Sequence, residues 1–393
     1  MSAEQLLRDI ERLAGRLPHR GGITDNERLA AEYILERFEE STPLAQKEDF
    51  HSTDAYPNLL ALYYLDFSVA VAVLAIWWPW IALGYGLVSF LLYMAEFTGF
   101  AVMSRFMPHY ETQNVSARFP CQAPKRLLIV TANYDSPQVL PWTRPGFIRW
   151  LPLCHTLLVC CMVLMLISCA AEGFGVFQGQ SGRIDLVARW AGAAILLAAA
   201  AALYTGARGA NFTPGANNNA SGTALLLALA ERLRENPLES MEVWLVATGS
   251  KEMWLSGMRQ LFRGLEVDKA STFFLNVTGI GAGTLRYVTG EGMLHVYPAG
   301  RELLGLAKRN ALDFDARPMV YRGPPTDALI PLARGYDAMT VMATVEDDMP
   351  GNWHQESDTV TQIDAATALR AVDYVDTIMR GLDSAAGPLG GDF

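Results

Sequence analysis

The sequence predicts an α/β domain, a mainly parallel sheet sandwiched by helices, interrupted by two transmembrane helical hairpins with four spans in all. Three observations predict it. Strand-like apolar runs alternate with helix-period segments through the polar parts of the chain, as in a parallel sheet with helical crossovers. Long stretches without charge break that alternation in two places. For one sheet to close, all its pieces must lie on one side of the membrane, so each insertion crosses an even number of times.

Composition fits this reading. The chain has 393 residues, of which 51% are hydrophobic and only 18% charged, with a mean hydropathy of +0.15. A soluble domain carries about 25% charged residues. The net charge of −10 comes without a basic block, which excludes nucleic acid as the expected partner. Four of the five cysteines (Cys154, Cys160, Cys161 and Cys169) sit in one apolar run, so there is neither a disulfide framework nor a C-x-x-C metal pair. The opening segment is an amphipathic helix without the apolar core of a signal peptide.

Residues 1–58 open the α/β domain. Leu6, Ile10, Leu13 and Leu17 mark one helix face, and Ala30, Tyr33, Ile34 and Phe38 mark a second after the break "LPHRGGIT". Hairpin one occupies 59–107. The 38 residues between Asp66 and Arg105 hold one charge, Glu96, and are too many for a single span of about 20. A turn is expected between Trp77 and Gly86, helped by Pro79 and Gly84, with Trp77, Trp78 and Trp80 near an interface. Glu96 should face protein rather than lipid.

Residues 108–146 continue the domain, with a buried strand at Leu127–Thr131 and a loop from Asn133 at its C-terminal end, where open α/β sheets place sites. Hairpin two occupies 147–208, on the uncharged runs Trp150–Ala171 and Trp190–Ala207. Residues 209–393 hold most of the domain. Their strands are "MEVWLVAT", "STFFLNVTG", "LRYVTG" and "AMTVMAT", with helices from Ala220, near Glu302–Arg309 and at Asp364–Leu382. Asn217, Asn218, Asn219 and Ser221, which precede the apolar run of the first of these helices, are helix-start signals.

Five motifs then match a known family in order. "PGANNNASG", "TANYDSP", "GSKEMWLSG", "NVTGIG" and "NWHQESDT" resemble, respectively, the metal-site loop, strand ends and closing loop of the M28 zinc aminopeptidases. The resemblance runs from about Asn114 onward, outside the second insertion, and implies that family's fold. It also implies what has been lost. The family's first His ligand falls on Asn133, its bridging Asp on Asn218 and a further Asp on Thr278, while its general-base Glu falls on Lys251. Glu252 and His354 survive as ligand types, with Asp135, whose family role is to orient the missing His. Asp135, Asn219 and Ser221 are expected to line the pocket. A two-zinc site needs His and carboxylate donors, so the expected cofactor is none, and no catalytic residue is expected.

The reading implied is an inactive, nicastrin-like peptidase homologue, a scaffold subunit or assembly factor of a membrane complex. The alternative is a membrane-bound aminopeptidase or glutaminyl-cyclase-like hydrolase with one zinc on Glu252, His354 and either Asp135 or Asn218. Expected partners are the bilayer and other integral membrane proteins in a hetero-oligomer, met through Glu96 and the small face at Ala194 and Ala198. Arg105, Arg144, Arg149 and Arg208 flank the soluble side, against Arg183 and Arg189 beyond it, which predicts a cytoplasmic α/β domain. His155 is expected to bond a neighbouring helix, and Asp327 to cap one.

Overall fold

The strand Arg126–Asn133 shows how this sequence makes its sheet. Its side chains alternate between two apolar surfaces: Leu128, Val130 and Ala132 enter one core and Ile129 enters another. A strand buried on both faces needs helices on both, and the computed structural model supplies them. It describes residues 2–53, 56–97, 100, 102–176, 180–345 and 349–385. The chain divides into two compact units: Met1–Asp54, His109–Val139 and Asn211–Phe393 form one, and Ala55–Pro108 with Leu140–Ala210 form the other.

The first unit holds a nine-stranded sheet: β1 (Ala45–Thr53), β2 (His109–Phe119), β3 (Arg126–Asn133), β4 (Met241–Thr248), β5 (Thr272–Thr278), β6 (Thr284–Glu291), β7 (Tyr297–Pro298), β8 (Arg317–Tyr321) and β9 (Asp337–Thr344). The order is β1-β2-β4-β3-β5-β9-β6-β7, with β8 on β6. The central run β4-β3-β5-β9 is parallel, while the β1/β2, β2/β4, β9/β6 and β6/β7 pairs are antiparallel. The sheet is therefore mixed, with the expected parallel run at its centre and β6/β8 also parallel. Strands β1, β2, β7 and β8 have no counterpart in the sequence reading. β1 carries Lys47, Glu48 and Asp49 at a sheet edge, where charge protects an exposed strand and hides its periodicity.

One face is covered by the helices Ala3–Ile10, Asp25–Glu39, Gly222–Glu235, Arg301–Asn310 and Ala365–Ser384, whose apolar residues share a core with β3, β4 and β5. The other is covered by Ser256–Arg263 and Leu329–Ala333. Leu225, Leu226, Leu229 and Leu233 are all buried, as the spacing predicts. Asn219, not Ser221, starts that helix, because its Oδ1 accepts from Gly222 N at 3.2 Å.

The second unit contains four helices long and apolar enough to cross a membrane, Tyr56–Leu74, Pro79–Phe97, Leu151–Gly173 and Gln180–Ala207. The first turn is tighter than expected. Residues 75–78 make it, and Pro79 opens the next helix, where its missing N–H costs nothing. Gly84 lies inside that helix and takes no part in the bend.

The first helix also begins before the uncharged run and carries Asp66 within it. Asp66 accepts from Tyr85 Oη at 2.6 Å and Ser89 Oγ at 3.2 Å, so Glu96 is not alone as an acid inside the apolar helices. Glu96 is buried, and its Oε1 accepts from Val102 N and Ser104 N, each at 2.9 Å. The polar partner it needs is thus in its own chain, which corrects its assignment to an external interface. Ala194 and Ala198 do face outward, while Gly192, Ala193, Leu196 and Ala200 pack inward. His155 Nδ1 lies 3.3 Å from Tyr93 Oη on the second helix, as expected, and Tyr93 Oη is 2.9 Å from Tyr64 Oη. Arg189, also inside a helix, is buried and donates to Ser168 Oγ and Asp185.

Candidate functional site

Parallel strands β3, β4 and β5 end together, and the loops leaving them converge at that edge. Asn133 and Thr248 are register partners at the ends of β3 and β4, and Thr278 closes β5. Asn133 is buried with both ends of its amide committed. Its Nδ2 donates to Asp135 Oδ1 at 3.0 Å, and its Oδ1 accepts from Asn219 Nδ2 at 3.1 Å. Asn219 Oδ1 also accepts from Gly279 N at 2.9 Å, which ties the 216–221 turn to the end of β5. Ser221 Oγ donates to Asn217 O and accepts from Ile280 N, so it is a structural clasp. Asp135, Asn219 and Ser221 are each fully buried, and their place is within this network rather than on an open pocket wall. Asn218 is buried too; its backbone N–H donates to Asp358 Oδ2 at 3.0 Å, and the Asn218–Asn219 peptide is cis.

The loop after β4 brings in the charges. Lys251 Nζ donates to Glu252 Oε1 at 2.8 Å, and His354 Nε2 lies 3.6 Å from Glu252 Oε2. Asp135 Oδ2 accepts the Glu252 backbone N–H at 2.9 Å. Asp327 does not cap a helix. Its Oδ2 accepts from Thr248 Oγ1 at 2.6 Å, and Thr326 Oγ1 receives the Ala328 N–H instead. Ser250, Trp254, Leu255, Asn352 and His354 all hold positive φ, between 48° and 62°. Left-handed backbone at five non-glycine residues costs roughly 1 kcal/mol each and concentrates where a fold fixes a site.

Burial sets the protonation of these groups. It would push Glu252 up and Lys251 down, but their attraction outweighs it and leaves Glu252 below and Lys251 above their ordinary values. Burial, together with the Glu252 charge, pushes Asp135 up to about 7. Burial alone dominates at Asp327, raised to about 6, and at Glu291, raised to about 7. It pushes His354 down to about 3, so its ring is neutral at neutral pH. Unit charges about 4 Å apart interact by ~4 kcal/mol at an effective dielectric near 20, enough to keep neighbouring carboxyls from ionising together.

Arg20 holds the 213–221 loop and was not singled out in the sequence, where it stands in an unremarkable break. It is fully buried. Nε donates to Tyr134 O at 3.0 Å, Nη2 to Gly215 O at 2.9 Å, and Nη1 is shared among the Pro214, Leu17 and Leu13 carbonyls. Burial lowers its pKa to about 10, which keeps it charged. Glu27 was missed as well. It accepts from Ile23 N at 2.6 Å, Ser250 N at 2.8 Å and Thr112 Oγ1 at 3.0 Å. Only a cap-like "ITDNE" pattern could have pointed to it.

Residues 194–379 match the family model of peptidase family M28. The α/β unit is M28-like. Its fold is shared with solved aminopeptidases and glutaminyl cyclases. A zinc aminopeptidase from Bacillus subtilis superposes with a TM-score of 0.57 over 97% of this chain and 95% of its own, at 13% identity. An aminopeptidase from Aneurinibacillus sp. strain AM-1 gives 0.56 over 96% and 93%, also at 13%. A glutaminyl cyclase from an Acidobacteriales bacterium gives 0.54 over 98% and 95%, again at 13%. Identities this low show the fold alone. No curated protein sequence matches the chain.

The M28-like frame gathers all the positions singled out in the sequence, Asn133, Asp135, Asn218, Asn219, Ser221, Lys251, Glu252, Thr278 and His354, at one edge of the sheet. Glu96, Ala194 and Ala198 belong to the other unit. Among the described residues, no three His, Cys, Asp or Glu side chains form a group able to hold a metal ion.

Proposed function

We propose that this protein is a membrane-embedded M28-like pseudo-peptidase acting as a scaffold subunit or assembly factor for other integral membrane proteins. The observation that carries the reading is the Lys251–Glu252 ion pair at 2.8 Å. A surviving carboxylate donor is held there by an ammonium of its own chain. The rest of the donor set does not suit a dication either. Asn133 spends its amide on Asp135 and Asn219, and Asn218 and Thr278 offer only neutral oxygen, a poor zinc ligand. Without a metal-bound water the frame has nothing to hydrolyse a peptide with, and its remaining use is as a rigid surface. The domain is assigned to the cytoplasm on the arginine flanks.

Metal analysis of purified protein tests this, together with aminoacyl-substrate hydrolysis. We expect zinc well below stoichiometric and no turnover. The fourfold change Asn133→His, Asn218→Asp, Lys251→Glu and Thr278→Asp should bind zinc where the parent does not. Near-stoichiometric zinc in the parent would overturn the proposal. It would favour the second reading, a single-metal hydrolase, for which the observation is the closeness of His354 and Glu252.

A further inference from the structure

We propose that the carboxylate cluster at the C-terminal edge of β3 and β4 is a cation site whose occupant is a primary ammonium supplied in cis by Lys251. The inference rests on the pseudo-peptidase reading above and concerns the same edge of the sheet.

The geometry is that of a liganded site. Lys251 Nζ is buried and donates to Glu252 Oε1 at 2.8 Å. Asp135 and Asp327 are near enough for their charges to act on the same ammonium. Both are 2% exposed or less. Asp135 is fixed by the Glu252 N–H and the Asn133 amide, and Asp327 by Thr248 through Oδ2 alone. Asp327 Oδ1 is buried and accepts no hydrogen bond from the described residues. A buried carboxylate oxygen without a donor, near an ammonium already held by Glu252, is a further ligand position of that cation site. Lys251 is the one amine the sheet edge presents to it among the described residues. Glu252 holds the ammonium directly, Asp135 and Asp327 lie near it, and the lysine stem reaching in from the loop after β4 closes the site to cations from outside.

Deleting the stem should therefore leave a recipient for a free alkylammonium. The test uses full-length protein in nanodiscs and follows the thermal midpoint of the α/β unit. Lys251→Ala removes three methylenes and the amine, a gap shaped like n-propylammonium. We expect the midpoint to fall, and n-propylammonium chloride to recover at least half of the loss. 1-Propanol and tetramethylammonium chloride at equal concentration should recover little, since one lacks the charge and the other the N–H. The parent should respond to none of them. An equal response to propanol, or no fall in midpoint, would overturn the inference.

If Lys251→Ala does not accumulate, Lys251→Met is compared with Lys251→Met/Glu252→Gln. The double variant should melt higher, because the uncompensated carboxylate is gone; an equal or lower midpoint counts against the site. Zinc analysis of the parent separates the two proposals. Zinc there removes both, whereas a metal-free parent whose Lys251→Ala form ignores propylammonium removes the ammonium site alone.

Discussion

Replacing Arg20 by Met removes every guanidinium donor while keeping most of the apolar volume. The Tyr134, Gly215, Pro214, Leu17 and Leu13 carbonyls lose a charged donor together. Gly215 O retains the Ala220 N–H at 3.0 Å, so it is partly compensated. Among the described residues the Tyr134 and Pro214 carbonyls have no second partner, and a buried acceptor left unmade costs about 1–3 kcal/mol. Two such groups, with smaller losses at the other three, come to ~4–6 kcal/mol, less whatever is regained by no longer burying a charge. Set against a total stability of about 5–15 kcal/mol for a domain, that is close to unfolding. Arg20→Lys keeps the charge but only three donors on a more flexible stem, and should cost roughly half as much. Urea unfolding followed by tryptophan fluorescence measures both, and limited proteolysis reports whether cleavage appears within 211–221, the segment Arg20 holds. A Met variant within about 1 kcal/mol of the parent and equally resistant to protease would refute this account of the loop.

Other outcomes follow from the same structure. Burial and the nearby Asp135 charge push Glu27 up to about 8 from a usual value of 4.5. The folded unit then holds a proton that the unfolded chain releases, so stability is full below about 4.5 and declines by up to ~1.4 kcal/mol per pH unit until about pH 8. Glu27→Gln should flatten that decline when unfolding free energies are compared at the two ends of the window; an unchanged slope would show that Glu27 does not carry it. A C-terminal reporter active only outside the cytoplasm should stay silent, and strong signal would place the α/β unit on the other side. Mild detergent extraction and sizing should give an assembly larger than one chain, shrunk by Ala194→Leu/Ala198→Leu, since both residues face outward. A monodisperse monomer indifferent to the change rules that surface out. Asp66→Asn should weaken the pairing of the first two apolar helices by roughly 1 kcal/mol, as two hydrogen bonds to a charged acceptor become neutral. A Tyr85→Phe background should remove part of that effect.

The strands that were legible in the sequence are those whose burial is local. β4 and β9 read as apolar runs with clear ends, and the structure begins and ends them within a residue or so of the sequence reading. β1 was not legible, because its pairing with β2 is satisfied across an insertion and its outer side chains are charged. Asp66 was hidden for a related reason. A charge at the edge of an uncharged run reads as a boundary, and only Tyr85 and Ser89 on the neighbouring helix reveal it as interior. At the site, the residue types were visible in the motifs, but most of their partners were not. The pairing of Lys251 with its neighbour Glu252 could be anticipated from their opposite charges, but no spacing rule carries Arg20 across to Pro214 and Gly215. The Arg20 contacts come from long-range closure, for which one sequence holds no periodicity.

The order of strands also fixes an order of events during synthesis. Thr53 and His109 are register partners at the start of the β1–β2 ladder, yet the first apolar hairpin lies between them in the chain. Strand β4, which joins β2 to β3, is made only after all four apolar helices have left the ribosome. Until then the β1–β2 ribbon and β3 have no common neighbour, and each presents a bare edge. Completion of the sheet is therefore timed by the arrival of β4, and the nascent chain must keep its N-terminal third from pairing elsewhere while the apolar helices are delivered. An early truncation before Met241 would leave two orphaned pieces of sheet instead of a smaller domain, and such a product should be an aggregation-prone target for chaperones.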